Sequence, residues 1–437
     1  MLINITNKSF LAVSPEMMGG ALKRTPQRFI RWKNSGSFRN IVQYVSRRSP
    51  FYKKRFRSLK ISPSRIKKPS DLGDFFTFPE DIMNSAEEFL CRKPHMAFES
   101  SGTTGRNKRI YVTHDELDWV GKVMAAGLFL GGATPSDRAI NAFDFCVWIP
   151  GMLTHKCLEK AKLFAIDAGK IDPMEVYKRI PQYGINIVMG EPTWLIKLTE
   201  IAEKKGSYPL KFIIGGAEEM PDAARPWMKK VWQGAEVRMV YASVESAGIM
   251  AFEPFAECES YHINENDYLI EIIDPDKDGY GEIAVTTLSR HTMPLVRYRN
   301  RDIGRIIPGN CPCGLPLKRL AKIRGRADEL VVASGGNLYP LMFEDILKDV
   351  PGITTEWQIV FKLRGIKEVM EIHLELKEEG RPKNDIESHI FSNIQNRYPD
   401  LWKNMSIGIF DTAFVYHEPS TIRTGVKLLR LVDKRYK

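Results

Sequence analysis

The stretch INIVMGEPTWLIKLTEIAEKKGSYPLKFIIGG, residues 185–216, indicates the fold class. It begins with the apolar run INIVMG and ends with LKFIIGG, and TWLIKLTEIAEKKG (193–206) between them is typical of a helix. Short apolar strands that alternate with helices are characteristic of a mainly parallel sheet that is buried on both faces. The sequence therefore predicts an α/β fold.

The same alternation continues on the C-terminal side of this stretch. DAARPWMKKVW (222–232) is typical of a helix and VRMVYAS (237–243) of a strand. Further on, YLIEIIDPDKDGYGEIAVTTL (268–288) contains two strand patterns joined by an Asp-Gly turn. We expect this hairpin to form an antiparallel addition to a mainly parallel body.

The pattern changes near Gly325, and roughly a hundred residues follow that predict a small α+β unit. Pro340 begins a helix that Pro351 and Gly352 end. Two strands, a helix from about Asn384 and a last strand near residues 407–417 complete this unit. The predicted domains are a basic helical lead-in at 1–75, a large domain at 76–326 and a small C-terminal domain at 327–437.

Length and composition set the protein class. A chain of 437 residues suggests two or three domains, and 43% hydrophobic with 27% charged residues is ordinary for a globular protein. No stretch approaches the roughly 20 apolar residues that cross a bilayer, and the N-terminus lacks a signal-peptide pattern. We therefore predict a cytoplasmic protein without a membrane span. Six cysteines are too few for a disulfide scaffold, which leaves free thiols or metal ligands.

The net charge of +11 is concentrated in one segment. Residues 21–70, here called the basic segment, hold 16 Lys and Arg and no Asp or Glu, which leaves 48 basic against 53 acidic residues elsewhere. Such a surface attracts nucleic acids, phosphorylated cofactors or acidic proteins. Phe38, Ile41, Val42 and Val45 recur at helical spacing, which favours the alternative that the segment is a solvated helix face.

The loop FESSGTTGRNKRIYVT, residues 98–113, has the composition of a phosphate-binding loop. Small residues let backbone N–H groups approach phosphate oxygens, hydroxyls add hydrogen bonds and Lys108 adds positive charge. The G-x-x-x-x-G-K-[ST] spacing is absent, which argues against a P-loop nucleotidase. The predicted phosphate-binding residues are Ser100, Ser101, Gly102, Thr103, Thr104, Gly105 and Lys108.

This loop and five further segments resemble, in order, the motifs of the adenylate-forming (acyl-CoA synthetase) superfamily, and within it the phenylacetate-CoA ligase branch. SSGTTGRNK is similar to that family's phosphate loop. The other segments are IIGGAEEM (213–220), YASVESAG (241–248), MPLVRYRNRDIG (293–304), RGRADELVVASGGNLYP (324–340) and TGVKLLRLVD (424–433). The resemblance covers nearly the whole chain.

The resemblance implies a role for each matching residue. Gly216, Ala217 and Glu218 would border the adenine of ATP, and the ring of Tyr241 would stack on it. Glu245 would act in catalysis by holding Mg²⁺ against the phosphates. The remaining roles are ribose binding for Asp302 with Arg326 nearby, a hinge for a mobile C-terminal domain at Asp328, and the catalytic lysine at Lys427.

Two segments depart from the family pattern. Ala242 and Val244 replace residues that are usually Gly and Ser or Thr, which removes a hydroxyl beside the phosphates. Val426 separates Gly425 from Lys427, whereas the family places Gly directly before its lysine.

A second cluster of residues has the composition of a zinc site. Cys258, His262, Cys311 and Cys313 supply three thiolates and one imidazole, a closed set suited to structural zinc, and some phenylacetate ligase-like proteins resemble this arrangement. Four unconnected surface residues are the alternative. Cys91, Cys146 and Cys157 have no other potential metal ligands at a suitable spacing in the sequence, and we expect them in the core.

The resemblance implies an ATP-dependent ligase that adenylates a carboxylic acid and transfers the acyl group to CoA, with an aryl or arylacetic acid as substrate. Three alternatives stay open: transfer to an acidic carrier protein, adenylylation of a deazaflavin cofactor, and a zinc-containing nucleic-acid-binding protein, which the absence of groove-reading motifs disfavours. The acid itself and the oligomeric state, with a dimer among the options, are not defined by the sequence.

Overall fold

The computed structural model describes residues 13–100, 107–221, 223–255, 258–327, 331–333, 336–338, 340–377, 383–419, 421–422 and 430–435, without the side chains of 337 and 341. The helices are α1 (Pro15–Arg24), α2 (Gln27–Arg48), α3 (Pro50–Ser58), α4 (Pro79–Ser85), α5 (His114–Leu130), α6 (Pro150–Ala161), α7 (Pro173–Tyr183), α8 (Pro192–Lys205), α9 (Ala224–Val231), α10 (Pro340–Leu347), α11 (Lys383–Arg397) and α12 (Pro399–Ser406).

The strands follow the alternation that the sequence predicts. They are β1 (Met96–Glu99), β2 (Arg109–Val112), β3 (Arg138–Asn141), β4 (Phe164–Asp167), β5 (Ile187–Gly190), β6 (Phe212–Gly215), β7 (Glu236–Ser243), β8 (Gly248–Phe252), β9 (Tyr261–Ile263), β10 (Tyr268–Ile273), β11 (Gly281–Thr287), β12 (Tyr298–Gly304), β13 (Ile306–Ile307), β14 (Arg319–Leu320), β15 (Val331–Ala333), β16 (Gly336–Leu338), β17 (Ile353–Arg364), β18 (Lys367–Leu376), β19 (Asp411–His417) and β20 (Leu431–Asp433).

The N-terminal helices cover one side of the body with an apolar face. Phe38, Ile41, Val42 and Val45 of α2 are all buried, as their spacing predicts. The arginines at both ends of α2 remain exposed. Ser49 ends α2 and starts α3, because its hydroxyl accepts a hydrogen bond of 3.3 Å from the backbone N–H of Tyr52.

A nine-stranded sheet in the order β13-β14-β9-β8-β7-β6-β5-β3-β4 forms the centre of the large body. Five neighbouring strands are parallel to one another, namely β4, β3, β5, β6 and β7. The sheet continues with β8, β9, β14 and β13, each antiparallel to its neighbour. Every residue of β5 and β6 is buried, as expected for strands covered by helices on both faces. This confirms the predicted α/β class.

The predicted antiparallel addition is a separate three-stranded sheet, β10-β11-β12. Its first turn is held by Asp276, whose Oδ1 accepts hydrogen bonds of 2.9 Å from the backbone N–H groups of Asp278 and Tyr280. Gly279 adopts φ +82°, the left-handed conformation that favours glycine in such turns.

The C-terminal part forms a four-stranded sheet in the order β19-β18-β17-β20, with α10, α11 and α12 beside it. Strands β17 and β18 are antiparallel, and Gly365 turns between them with φ +66°. The sequence predicts this α+β character but misses α12 and β20, which are only 8 and 3 residues long. Among the described helices, none combines the length and apolar character that a membrane crossing needs.

One expectation about the core is wrong. Cys157 is buried and Cys91 is half-buried, but Cys146 is exposed. Cys146 lies in the loop between β3 and α6, beyond the carboxyl end of its strand. Connections of this kind run over the surface, so its local apolar neighbours in the sequence do not bury it.

Candidate functional site

The carboxyl ends of β5, β6 and β7 meet at one edge of the parallel sheet, where ligands bind in open α/β folds. Gly190 and Gly215 are register partners at the ends of β5 and β6. A β-carbon on Gly216 would lie 2.8 Å from Cγ2 of Val240, so only glycine fits there. Ala217 follows with φ +73°, a conformation uncommon for residues with a side chain and concentrated at functional sites.

Glu218 fixes the entry of α8 beside this turn. Its Oε2 accepts hydrogen bonds of 3.2 Å from the backbone N–H of Thr193 and 2.8 Å from the Thr193 hydroxyl. A carboxylate that accepts from the first turn of a helix is also stabilised by the helix dipole. The predicted adenine-bordering residues therefore form one tight structure at the end of β6.

Tyr241 and Asp302 come together from two different sheets. The Tyr241 hydroxyl donates a hydrogen bond of 2.6 Å to Oδ2 of Asp302. Asn300 donates from Nδ2 to the Tyr241 hydroxyl at 2.7 Å and to Asp302 at 3.0 Å. Arg326 pairs with Oδ1 of Asp302 at 2.9 Å. Burial, followed by the charge of Asp302, raises the pKa of Tyr241, so the phenol stays protonated and donates.

Glu245 and Lys108 form a buried ion pair next to this group. The Lys108 ammonium contacts Oε1 of Glu245, and the Tyr298 hydroxyl donates to the same oxygen at 3.1 Å. Burial alone would raise the pKa of Glu245, but the Lys108 ammonium outweighs it and holds the pKa at about 2. Glu245 therefore carries a full negative charge in a site almost closed to solvent.

The turn that carries Glu245 is held from both sides. The Arg290 guanidinium donates to the Glu245 carbonyl oxygen, and Arg290 itself is buried. Ser243 and Ser246 bridge the turn, since each hydroxyl accepts from the backbone N–H of the other residue at 3.1 to 3.2 Å. The carboxylate is thus presented on a braced turn between β7 and β8.

The phosphate loop connects β1 to β2, and the structure describes its two ends. Ser100 is 5% exposed, and its backbone N–H donates to the Lys108 carbonyl at 3.0 Å. Its hydroxyl has no hydrogen-bond partner among the described residues. The predicted residues Ser101, Gly102, Thr103, Thr104 and Gly105 lie outside the described residues, as do Asp328 and Lys427.

Cys258 and His262 from one segment of the chain meet Cys311 and Cys313 from another. Their ligand atoms all lie within 4.8 Å of one another. The Sγ atoms of Cys258 and Cys311 are 3.7 Å apart, and Sγ of Cys313 is 3.4 Å from Nε2 of His262. Tetrahedral zinc with ordinary bond lengths requires edges of about 3.8 Å between sulfurs and about 3.6 Å between sulfur and nitrogen.

Tyr298 and Asn300 are site residues that sequence reasoning missed. They lie on β12 four and two residues before Asp302, respectively, and side chains at this spacing share one face of a strand. The alternation within MPLVRYRNRDIG is the signal that could have identified them once Asp302 was placed.

Comparisons with known proteins match both parts of the chain. A family model described as AMP-binding enzyme matches residues 96–286, and one described as AMP-binding enzyme C-terminal domain matches residues 335–435. The chain belongs to the adenylate-forming superfamily.

Curated relatives of this adenylate-forming chain include two phenylacetate-coenzyme A ligases. The ligase of Thermus thermophilus is 27% identical over 376 residues, which are 82% of this chain and 84% of the relative. The ligase of Escherichia coli is 23% identical over 432 residues, 93% of each chain. The chain is therefore similar to phenylacetate-coenzyme A ligases over most of its length.

A solved structure extends the likeness to the fold. The 2-hydroxyisobutyryl-CoA ligase in complex with 2-HIB-AMP and CoA superposes with a TM-score of 0.75 at 18% identity, covering 92% of this chain and 89% of that chain. The chain therefore shares the fold of that solved structure.

Proposed function

We propose that the protein is an AMP-forming acid–thiol ligase that activates a carboxylic acid with ATP and transfers the acyl group to CoA. The observation that carries the proposal is the meeting, at one edge of the sheet, of Tyr241, Asp302 and Arg326 with the Glu245–Lys108 pair. Family membership and the phenylacetate-coenzyme A ligase relatives support the same reaction.

In the first half-reaction, a carboxylate oxygen of the acid attacks the α-phosphorus of ATP and pyrophosphate leaves. Gly216, Ala217 and Glu218 border the adenine, and the ring of Tyr241 stacks on it. Asp302, oriented by Arg326, accepts from the ribose hydroxyls. Positioning and charge neutralisation supply most of the catalysis in phosphoryl chemistry of this kind.

The phosphate side of the site requires positive charge and a cation ligand. Lys108 and the loop from Ser100 to Gly105 bind the phosphates. Glu245 fits Mg²⁺, because its carboxylate is ionised and buried and a hard cation prefers such oxygens. When bound, Mg²⁺ neutralises phosphate charge. In the second half-reaction the thiol of CoA attacks the acyl carbon and AMP leaves.

We assign the acid to the loop that follows β3, NAFDFCVWIPG at 141–151, with an aryl or arylacetic acid as the substrate class. The Val147 carbonyl of this loop accepts a hydrogen bond of 2.9 Å from the backbone N–H of Glu99, the last residue of β1. The loop therefore lies beside the phosphate loop. An acid bound there would present its carboxylate to the α-phosphate.

We further propose that a structural zinc is held by Cys258, His262, Cys311 and Cys313. The two distances between ligand atoms agree with the edges of a zinc tetrahedron to about 0.2 Å. Four protein ligands leave no open position, so this metal would fasten the β9 segment to the 311–313 turn rather than take part in chemistry.

We assign each step of the proposed reaction to one of the predicted domains. The large domain at 76–326 binds ATP and the acid, and the C-terminal domain at 327–437 brings Lys427 to the site and turns about Asp328 between the half-reactions. Of the basic lead-in at 1–75, the described helices α1 to α3 pack against the large domain.

The proposal is tested by exchange of radiolabelled pyrophosphate into ATP across a panel of carboxylic acids, followed by thioester detection with CoA. Acid-dependent exchange with thioester formation is the expected result. Exchange without CoA transfer would favour an acidic carrier protein as acceptor. Absence of exchange with every acid, together with AMP transfer to a deazaflavin, would replace the ligase by a cofactor adenylyltransferase. Steeply salt-dependent binding of DNA or RNA instead would revive the nucleic-acid alternative.

A further inference from the structure

A cavity of about 150 Å³ lies away from the nucleotide site, between α2, the turn at Lys67–Pro69 and strand β10. Its floor is apolar and includes Phe38, Ile263 and Ile270. A cavity of this size holds several water molecules, or one small ligand, since a water occupies about 30 Å³ in the liquid.

Four cations surround the opening of this cavity. Arg31 from α2, the adjacent Lys67 and Lys68, and Lys318 all line it, against the single carboxylate of Glu265. Among the described residues, the ion pair these cations make is the 3.9 Å contact between Lys318 and Glu265. Arg31 donates instead to the neutral Gln27 side chain at 3.1 Å. The carboxylate of Asp71 also lies close, since its Oδ2 accepts hydrogen bonds from the backbone N–H groups of Lys67 and Lys68 at 2.8 and 3.1 Å. Four cations against these two carboxylates leave an excess of positive charge at the cavity.

Asn34 marks the cavity as a polar site rather than a packing defect. Its side chain lines the cavity and is 8% exposed, yet its Oδ1 finds no hydrogen-bond partner within the described part of the chain. An unsatisfied buried amide costs about 1 to 3 kcal/mol, and a bound ion or ligand that supplies the missing bond is one explanation for such a group.

Cations and acceptors together define the chemistry of the ligand. The cations require an anion, and the unpartnered amide oxygen of Asn34 requires a donor. The carboxylate of Glu265, which is 3% exposed and accepts from the Lys318 backbone N–H at 2.8 Å, can accept a further hydrogen bond from an O–H group. Hydrogen phosphate and protonated phosphate monoesters offer both in one group, whereas sulfate offers no donor at neutral pH. Burial raises the pKa of Glu265, which adds a second way to hold a shared proton.

We propose that this cavity binds a phosphate-bearing anion at a site separate from the ATP phosphates. The apolar floor strengthens the attraction, because charges interact more strongly where the local dielectric is low. The proposal also gives part of the basic segment a specific task beyond solvation. It does not depend on which acid or acceptor the ligase uses.

The wall of this cavity reaches the active site. Tyr268 lines the cavity, and its hydroxyl donates at 3.2 Å to the carbonyl of Ser246, the residue after Glu245. A ligand in the cavity is therefore one side chain away from the turn that carries the catalytic carboxylate.

Calorimetric titration of the whole protein with inorganic phosphate at low ionic strength tests the proposal. We expect saturable binding with a stoichiometry of one, at least fivefold weaker binding of sulfate, and at least tenfold weaker phosphate binding in Lys67→Gln/Lys68→Gln. The matched control is Arg47→Gln/Arg48→Gln, which removes two exposed charges at the far end of α2 and should change the affinity less than twofold. Arg31→Gln is the second cavity variant if the first is unstable.

Two outcomes would overturn the site: no saturable phosphate binding, or equal losses in the cavity variant and its control, which would indicate a diffuse surface field. If phosphate binds as expected, competition experiments identify the source of the phosphate group. Displacement by pyrophosphate identifies a free product anion. Displacement by CoA but not by dephospho-CoA identifies the 3′-phosphate of CoA. Because the readout is binding, the result stands apart from any failure of pyrophosphate exchange.

Discussion

The hydroxyl of Tyr241 lies 2.6 Å from Oδ2 of Asp302 and joins the nine-stranded sheet to the three-stranded sheet at the active site. Tyr241 is on β7 and Asp302 is on β12. Neither residue could hold this position without the register of its own sheet. In the proposed function, the bond would couple the adenine side of the site to the ribose side.

Tyr241→Phe should raise the KM for ATP by about 10- to 100-fold with a smaller change in kcat. The substitution keeps the ring that is proposed to stack on adenine but removes a hydrogen bond to a charged group, which contributes about 1.5 to 3 kcal/mol. Pyrophosphate exchange as a function of ATP concentration measures both constants. Tyr44→Phe, which removes a 3.1 Å hydrogen bond to the His291 carbonyl elsewhere, is the control. An unchanged KM would separate Asp302 from ribose binding.

Lys108→Met should destabilise the protein at pH 7 by about 3 kcal/mol, because it leaves the buried carboxylate of Glu245 without its cation. In the variant, burial raises the pKa of Glu245 above its unfolded value. A raised pKa contributes stability that is present at low pH and is lost as the pH rises through it. The loss of unfolding free energy in Lys108→Met relative to wild type should therefore be smaller at pH 5 than at pH 7. Urea unfolding of both proteins at both pH values measures this difference.

The double variant Lys108→Met/Glu245→Gln is the matched control for this charge argument. Once the carboxylate is an amide, no charge is stranded, and most of the lost stability should return at pH 7 without restoring exchange activity. If the double variant is as unstable as Lys108→Met at both pH values, packing of the lysine stem, rather than its charge, stabilises the site.

The fold was largely predictable because its signals are local. The apolar runs around Gly190 and Gly215 and the helix between them appear where the alternation indicates. The misses are short elements, α12 and β20, whose few residues carry little periodicity. Cys146 was misplaced because burial depends on where a loop leaves the sheet, which an apolar stretch does not reveal.

The site was predictable only residue by residue, from motifs. Tyr241 and Asp302 are 61 residues apart in sequence, and their contact depends on how two sheets pack, which spacing does not encode. The role of Tyr298 as a donor to Glu245 belongs to the same class. Such contacts depend on tertiary structure. The types of residue at the site could be predicted because the motifs contain the side chains that a nucleotide-binding site requires.

Purified protein should carry about one zinc per chain, and Cys313→Ser should lose the metal together with thermal stability. Structural zinc contributes directly to the folding free energy because the unfolded chain has no preformed site. Elemental analysis and the melting temperature, each with and without chelator, provide the measurement. Cys146→Ser, which changes an exposed cysteine outside the cluster, should keep both. If the wild-type protein proves metal-free and equally stable with and without chelator, the proposed zinc site is wrong.

Lys427→Ala should lose pyrophosphate exchange by about 10²- to 10³-fold while retaining the second half-reaction. In the closed site an ammonium between the carboxylate and the ATP phosphates stabilises developing charge, and the loss is comparable to removing an oxyanion donor. Supplied with presynthesised acyl adenylate and CoA, the variant should still form thioester, because the proposed rotation of the C-terminal domain about Asp328 would withdraw this lysine after adenylation. The two assays on one preparation measure the separation.

Asp328→Pro should show the opposite pattern, because a proline fixes φ at the hinge and hinders the domain rotation that precedes thioester formation. Exchange should persist while transfer from the adenylate falls.

Near-normal exchange in Lys427→Ala would mean that Val426 marks a shifted motif. Lys434 is then the next lysine to test, although its backbone N–H donates to the Phe361 carbonyl at 2.8 Å at the end of β20, which fixes its main chain to the C-terminal sheet. Lys434→Ala therefore serves as the matched control, and loss of exchange in that variant alone would move the catalytic role to Lys434.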